Sequence, residues 1–129
     1  MAVFGNLTLN TKVYVPSYFR VDVAGWYNRD AGVAAGFSLL TQRVYTSPSQ
    51  GGQLGATRSV SRMVVPIVSD TDSACSCAGT KLRESGWDLT GWFAPGSTEA
   101  ERTDLYLRLK DYVASDAFKE TFTKLTPVH

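Results

Sequence analysis

The chain has 129 residues, 43% hydrophobic and 12% aromatic, enough for one small core but little enough that association with another copy would help to stabilise it. The formal net charge is +1, so bulk charge announces neither nucleic acid nor any other charged partner, and a charged binding site has to come from local clustering. No stretch approaches a membrane-spanning length, and Met1-Ala2-Val3-Phe4-Gly5-Asn6 lacks the basic and apolar segments of a signal peptide; a soluble chain without a leader is expected.

In chain order, Leu7-Thr8-Leu9 and Lys12-Val13-Tyr14-Val15 alternate at period two around Asn10-Thr11, which predicts a tight hairpin, with Pro16 ending the second strand. Arg20 to Tyr27 alternates again, and Asn28-Arg29-Asp30-Ala31-Gly32 supplies a turn. Phe37 to Ser47 reads as a strand, Ser47 to Gly52 as a reversal, and Ala56 to Val68 as a long strand. Lys81 to Phe93 fits a last strand, with Gly86 and Gly91 at bulges or close backbone approaches. The period then changes. Thr98 and Glu101 match a capping box, and Leu105, Leu109, Tyr112 and Val113 recur at helical steps, predicting a helix from about Glu99 to Ala114. Ser115-Asp116 opens a shorter helix to about Lys124, with Phe118, Phe122 and Leu125 on one side and Thr126-Pro127 closing it.

Strands first and helices last give an α+β domain over 1–129: a hairpin in 1–15, an antiparallel β-meander in 20–93 and two C-terminal α-helices in 98–125. Two helices are too few to bury one face of such a sheet, so a partner subunit is expected to complete the cover.

The two cysteines, Cys75 and Cys77, lie one residue apart among small polar neighbours. A zinc site needs four ligands, and the one His is His129. A mutual disulfide is too close-spaced, and a redox pair normally reads C-x-x-C at a helix start. What remains is either two free thiols or thiols that pair with a neighbouring subunit. An enzyme reading has little support: no G-x-S-x-G or phosphate-binding glycine loop is present, and Glu99, Glu101 and Asp104 suit a helix N-terminus. No catalytic residue, metal, cofactor, membrane or small-molecule substrate is expected.

Several stretches nonetheless resemble the coat proteins of the small single-stranded RNA bacteriophages, the levivirus family. Gly96-Ser97-Thr98-Glu99-Ala100-Glu101-Arg102 with Leu105-Tyr106 is similar to the start of the family's first helix, and Leu125-Thr126-Pro127 to its closing segment. Val15-Pro16-Ser17-Tyr18-Phe19, Val23-Ala24-Gly25-Trp26, Gln42-Arg43-Val44 and Met63-Val64-Val65-Pro66-Ile67 add matches in the same order and spacing. The resemblance implies an intertwined homodimer with a continuous sheet and an icosahedral shell around single-stranded genomic RNA, assembled in the host bacterial cytoplasm and found in the virion. It also implies binding of an RNA hairpin as translational repressor of the replicase. Asp72 to Gly79 occupies the place where several members cross-link neighbours, which implies inter-subunit disulfides at Cys75 and Cys77, although C-x-C is narrower than the better-known spacing. The alternative is a dimeric RNA-binding regulator that never assembles.

Strand alternation proposes the RNA face. Thr41, Arg43, Tyr45 and Ser47 share one side of their strand, Arg58, Val60 and Arg62 one side of the next, and Lys81, Arg83, Ser85 and Trp87 one side of the last. The expected RNA-binding set is Thr41, Arg43, Tyr45, Arg58, Arg62, Lys81, Arg83 and Ser85, a mixture suited to phosphate contact and base stacking. Polar alternation also marks the solvated face of any half-buried sheet; the resemblance is what turns the reading toward RNA.

Overall fold

The computed structural model describes residues 4–20, 22–48, 51–52, 55–69 and 81–127. Cys75, Cys77 and His129, on which the cysteine and zinc readings turn, lie outside them. The chain forms two compact units, Met1–Trp92 and Phe93–His129.

The first unit is a six-stranded sheet whose strands lie side by side in sequence order. They are β1 (Leu7–Leu9), β2 (Lys12–Phe19), β3 (Val23–Asn28), β4 (Ser38–Thr46), β5 (Thr57–Val68) and β6 (Lys81–Phe93), with a short 3-10 turn at Ala34–Gly36 before β4. The hairpin turn at Asn10-Thr11 has φ of 50° and 64°, the double left-handed geometry that matches strand twist. Thr11 is β-branched and is disfavoured there. Thr11→Gly is therefore expected to stabilise the protein by about 1 kcal/mol, read as a raised midpoint in denaturant.

The core draws one residue from each of four strands: Tyr14, Trp26, Leu40 and Met63. Register explains it, because Trp26 opposes Leu40 and Leu40 opposes Met63, so their side chains fall on one face. The Tyr14 hydroxyl donates to Met63 Sδ at 3.5 Å. Over Trp26 lies the N-terminal segment, with the Phe4 ring edge-on at 5.2 Å and the indole Nε1 donating to the Gly5 carbonyl at 3.0 Å. Buried Asn28 donates to the Val13 carbonyl at 2.9 Å and accepts from the Asp30 backbone at 3.2 Å, tying the turn after β3 to β2.

One expectation needs correction. Pro16 does not end β2, which runs on to Phe19 through a register shift between Pro16 and Tyr18. β1 pairs β2 only as far as Tyr14, so at Pro16 that edge is open and its missing N–H leaves no ladder bond unmade. The shift lays the Tyr18 ring on Gly25, where a Cβ would stand 2.3 Å from the ring. At Gly86 the expected close approach is present: a Cβ would lie 1.9 Å from the Met63 carbonyl oxygen.

The second unit contains α1 (Glu99–Val113) and α2 (Asp116–Lys124). Its boundaries follow from side-chain caps. Thr98 accepts from the Glu101 amide at 3.2 Å while Glu101 accepts from the Thr98 amide at 3.3 Å, and Ser115 caps α2 through the Phe118 amide. Tyr112 meets Phe118 edge-on at 5.3 Å, and Phe118 stacks on Phe122 at 5.4 Å. No residue of either helix is buried. Leu105, Tyr112 and Val113 of the predicted stripe are about half exposed, and Leu125 is 84% exposed.

Candidate nucleic-acid interface

The face of the sheet opposite the core is built in registered rows. Tyr27, Leu39 and Val64 form one; Gly25, Thr41 and Arg62 the next; then Val23, Arg43 and Val60, and last Tyr45 with Arg58. The β4–β5 register thus brings Thr41, Arg43, Tyr45, Arg58 and Arg62 onto one surface, the grouping that alternation predicted. Ser47 follows in phase just beyond β4, its amide donating to the Ala56 carbonyl at 2.9 Å. The Arg43 guanidinium stands 4.6 Å from the centroid of the Tyr45 ring, so cation and ring orient one another. Among the described residues, neither Arg43 nor Arg58 is engaged in an ion pair.

β6 adds two carboxylates that strand alternation did not single out. Arg62 Nε lies 3.6 Å from Asp88 Oδ1, and Lys81 Nζ lies 3.1 Å from Glu84 Oε2. Glu84 and Lys81 border the same concavity as Thr41 and Arg62. The Asp88 and Glu84 carboxylates thus stand beside the cations of this face, and Ser85 and Trp87 border a smaller hollow together with Arg62, Glu84 and Asp88. Lys81 and Ser85 therefore each border a concavity that Arg62 also lines. Lys81 and Glu84 meet at a spacing of three, and Gly86 lies close against the β5 backbone.

Arg29 was missed as well. Its guanidinium sits 5.8 Å from the Tyr27 ring centroid and 5.7 Å from that of Phe37, and the two rings meet edge-on at 6.2 Å. The signal lay in the hairpin phase of β3, which puts Tyr27 two residues from Gly25 on the Thr41 face. Chemically the surface offers cations for phosphates, an arginine-backed tyrosine for stacking, and hydroxyls for polar edges. Among the described residues no group of His, Cys, Asp and Glu is arranged to hold a metal ion. No helix is long and apolar enough to cross a membrane.

The fold is thus a six-stranded antiparallel sheet in sequence order followed by two side-chain-capped helices. The family model for levivirus coat protein matches residues 5–129, and the chain belongs to that family, whose members are structural capsid proteins. A comparison with curated protein sequences gives no significant match. Among solved structures, the chain is similar to the virus-like particle of bacteriophage NT-214, with a TM-score of 0.80 at 17% identity, covering 99% of this chain and 100% of that one. It is similar to the virus-like particle of Beihai levi-like virus 21, with a TM-score of 0.78 at 19% identity over 99% of each chain. That of bacteriophage ESE058 gives 0.76 at 13% identity over 99% and 100%. At these identities the likeness shows a shared fold.

Proposed function

We propose that the chain dimerises through its sheet edge, that the dimers assemble into an icosahedral shell in the bacterial cytoplasm, and that the Thr41–Arg62 face binds single-stranded RNA, including a hairpin that represses the replicase. The observation that carries the assembly is β6: a 13-residue strand at the edge of the sheet, exposed from Lys81 through Thr90. Such an edge is a template for another strand, and a second copy of β6 satisfies its free N–H and C=O groups. The half-exposed apolar residues of α1 and α2 ask for the same partner. For RNA, the support is the convergence of Arg43, Arg58, Arg62 and Tyr45 on one registered surface. Lys81 joins that RNA-binding set, and Arg83 and Ser85 belong to it by strand alternation.

The repressor reading is tested with a reporter gene placed behind the phage's own replicase-start hairpin. Expression of the full chain is expected to lower reporter output, and a chain with Arg43, Arg58 and Arg62 all replaced by Ala is expected not to; equal output in both contradicts the repressor role. For Cys75 and Cys77 we propose inter-subunit disulfides formed after release into an oxidising medium. Non-reducing gels of the assembled protein are expected to show ladders that collapse with reductant and are absent in Cys75→Ser/Cys77→Ser. A single monomer band without reductant leaves them as free thiols.

A further inference from the structure

The two ends of the proposed RNA face are electrostatically unlike. At one end Arg43 and Arg58 carry positive charge with no ion-paired carboxylate among the described residues; at the other, Arg62 and Lys81 are held by Asp88 and Glu84. Phosphate binding favours uncompensated cations, because each contact gains by releasing a counterion. The neutralised end is poorly suited to that task.

It has a different asset, an open concavity of about 530 Å³, roomy enough for one nucleotide. Tyr27, Phe37 and Val64 give it an apolar, aromatic wall, and Arg62, Lys81 and Glu84 form its charged rim. The Arg29 guanidinium, near both rings, fixes the pose of Tyr27 and Phe37. We infer that this concavity is a subsite for one unpaired base whose edge donates hydrogen bonds, guanine above all, with Glu84 as the group that reads it. The inference rests on the RNA-binding reading of the face and adds a division of labour to it: Arg43 and Arg58 hold phosphates, the concavity reads a base.

The chemistry sets the order of preference. A carboxylate accepts two parallel hydrogen bonds, and guanine presents N1–H and N2–H side by side as an arginine does. Adenine and cytosine present one amino group beside a ring nitrogen that repels the second carboxylate oxygen. Uracil flanks its one N–H with two carbonyl oxygens, so it faces Glu84 with like charge. The Lys81 ammonium, 3.1 Å from Glu84, holds the carboxylate at the rim without blocking both oxygens.

The test measures binding of the full-length chain, kept below its assembly concentration, to oligouridylate octamers and to the same octamers with one central guanosine. The wild type is expected to bind the guanosine octamer about tenfold more tightly, the discrimination typical of one good bidentate base contact. Glu84→Gln is expected to erase the preference, lowering affinity for the guanosine octamer and raising that for oligouridylate, because it removes the repelling carboxylate and frees the Lys81 ammonium for phosphate. Arg58→Ala is expected to weaken both oligomers equally and keep their ratio. Equal affinity of the wild type for both oligomers, with binding still sensitive to Arg58→Ala, would overturn the subsite and leave the RNA reading standing. A preference that survives Glu84→Gln would overturn Glu84 as its reader. No binding to either oligomer would overturn the RNA reading itself, and the subsite with it.

Discussion

Trp26→Ala is expected to destabilise the sheet by about 3–5 kcal/mol, the cost of deleting a large buried aromatic and leaving a cavity. The effect is large because the core is small: Trp26, at 5% exposure, is one of four buried hydrophobic residues among those described. Its loss also removes the edge-on contact with Phe4 and orphans the Gly5 carbonyl that the indole Nε1 now satisfies. Against a folding stability of about 5–15 kcal/mol, that leaves a marginal protein. Soluble yield at 37 °C is expected to fall sharply, with the melting midpoint down by at least about 10 °C. Trp26→Phe, which keeps the ring contact and loses the hydrogen bond, is expected to fall between. A midpoint within about 2 °C of wild type for Trp26→Ala would place the stabilising contacts elsewhere.

The second large effect concerns RNA. Replacing Arg43, Arg58 and Arg62 together by Ala is expected to strip most of the RNA that co-purifies with the protein, read as the ratio of absorbance at 260 and 280 nm. It is also expected to lower the slope of log affinity against log salt by about 1.4, since Arg43 and Arg58 each contribute about 0.7 per phosphate contact on a single strand. The fold should survive, because Arg43 and Arg62 are exposed, Arg58 is only half-buried, and the core lies on the opposite face. The three are not equivalent. Arg62 already faces Asp88, an exposed pair worth at most about 1 kcal/mol, so a phosphate must displace a carboxylate to reach it. Arg58→Ala alone should therefore cost more affinity than Arg62→Ala alone. Unchanged RNA content in the triple variant would show that this face does not contact the nucleic acid.

Local chemistry made much of the fold legible. The Asn10-Thr11 hairpin, both helix caps and the span of β6 from Lys81 to Phe93 all stand where short-range rules put them. Those rules are strong because a cap or a two-residue turn is decided by a handful of adjacent atoms. Pro16 was misread because its tolerance depends on where β1 stops, a fact about a neighbouring strand that no local pattern carries. The β4 and β5 faces were read correctly from alternation, each strand holding its phase through Thr41–Tyr45 and Arg58–Arg62. On β6 alternation did not single out the carboxylates, because the Arg62–Asp88 pair crosses strands and Lys81–Glu84 meets at a spacing of three, neither of which a period-two count carries.

The exposed β6 edge and the uncovered helix residues share one explanation in the proposed account, a second copy of the chain and then a shell of such pairs. Electron microscopy of the protein expressed alone, without other phage components, tests this most directly. Round shells of uniform size enclosing nuclease-protected RNA are the predicted result. Discrete dimers with bound RNA and no shells would contradict it, and would make the protein an RNA-binding regulator built on a coat-protein fold.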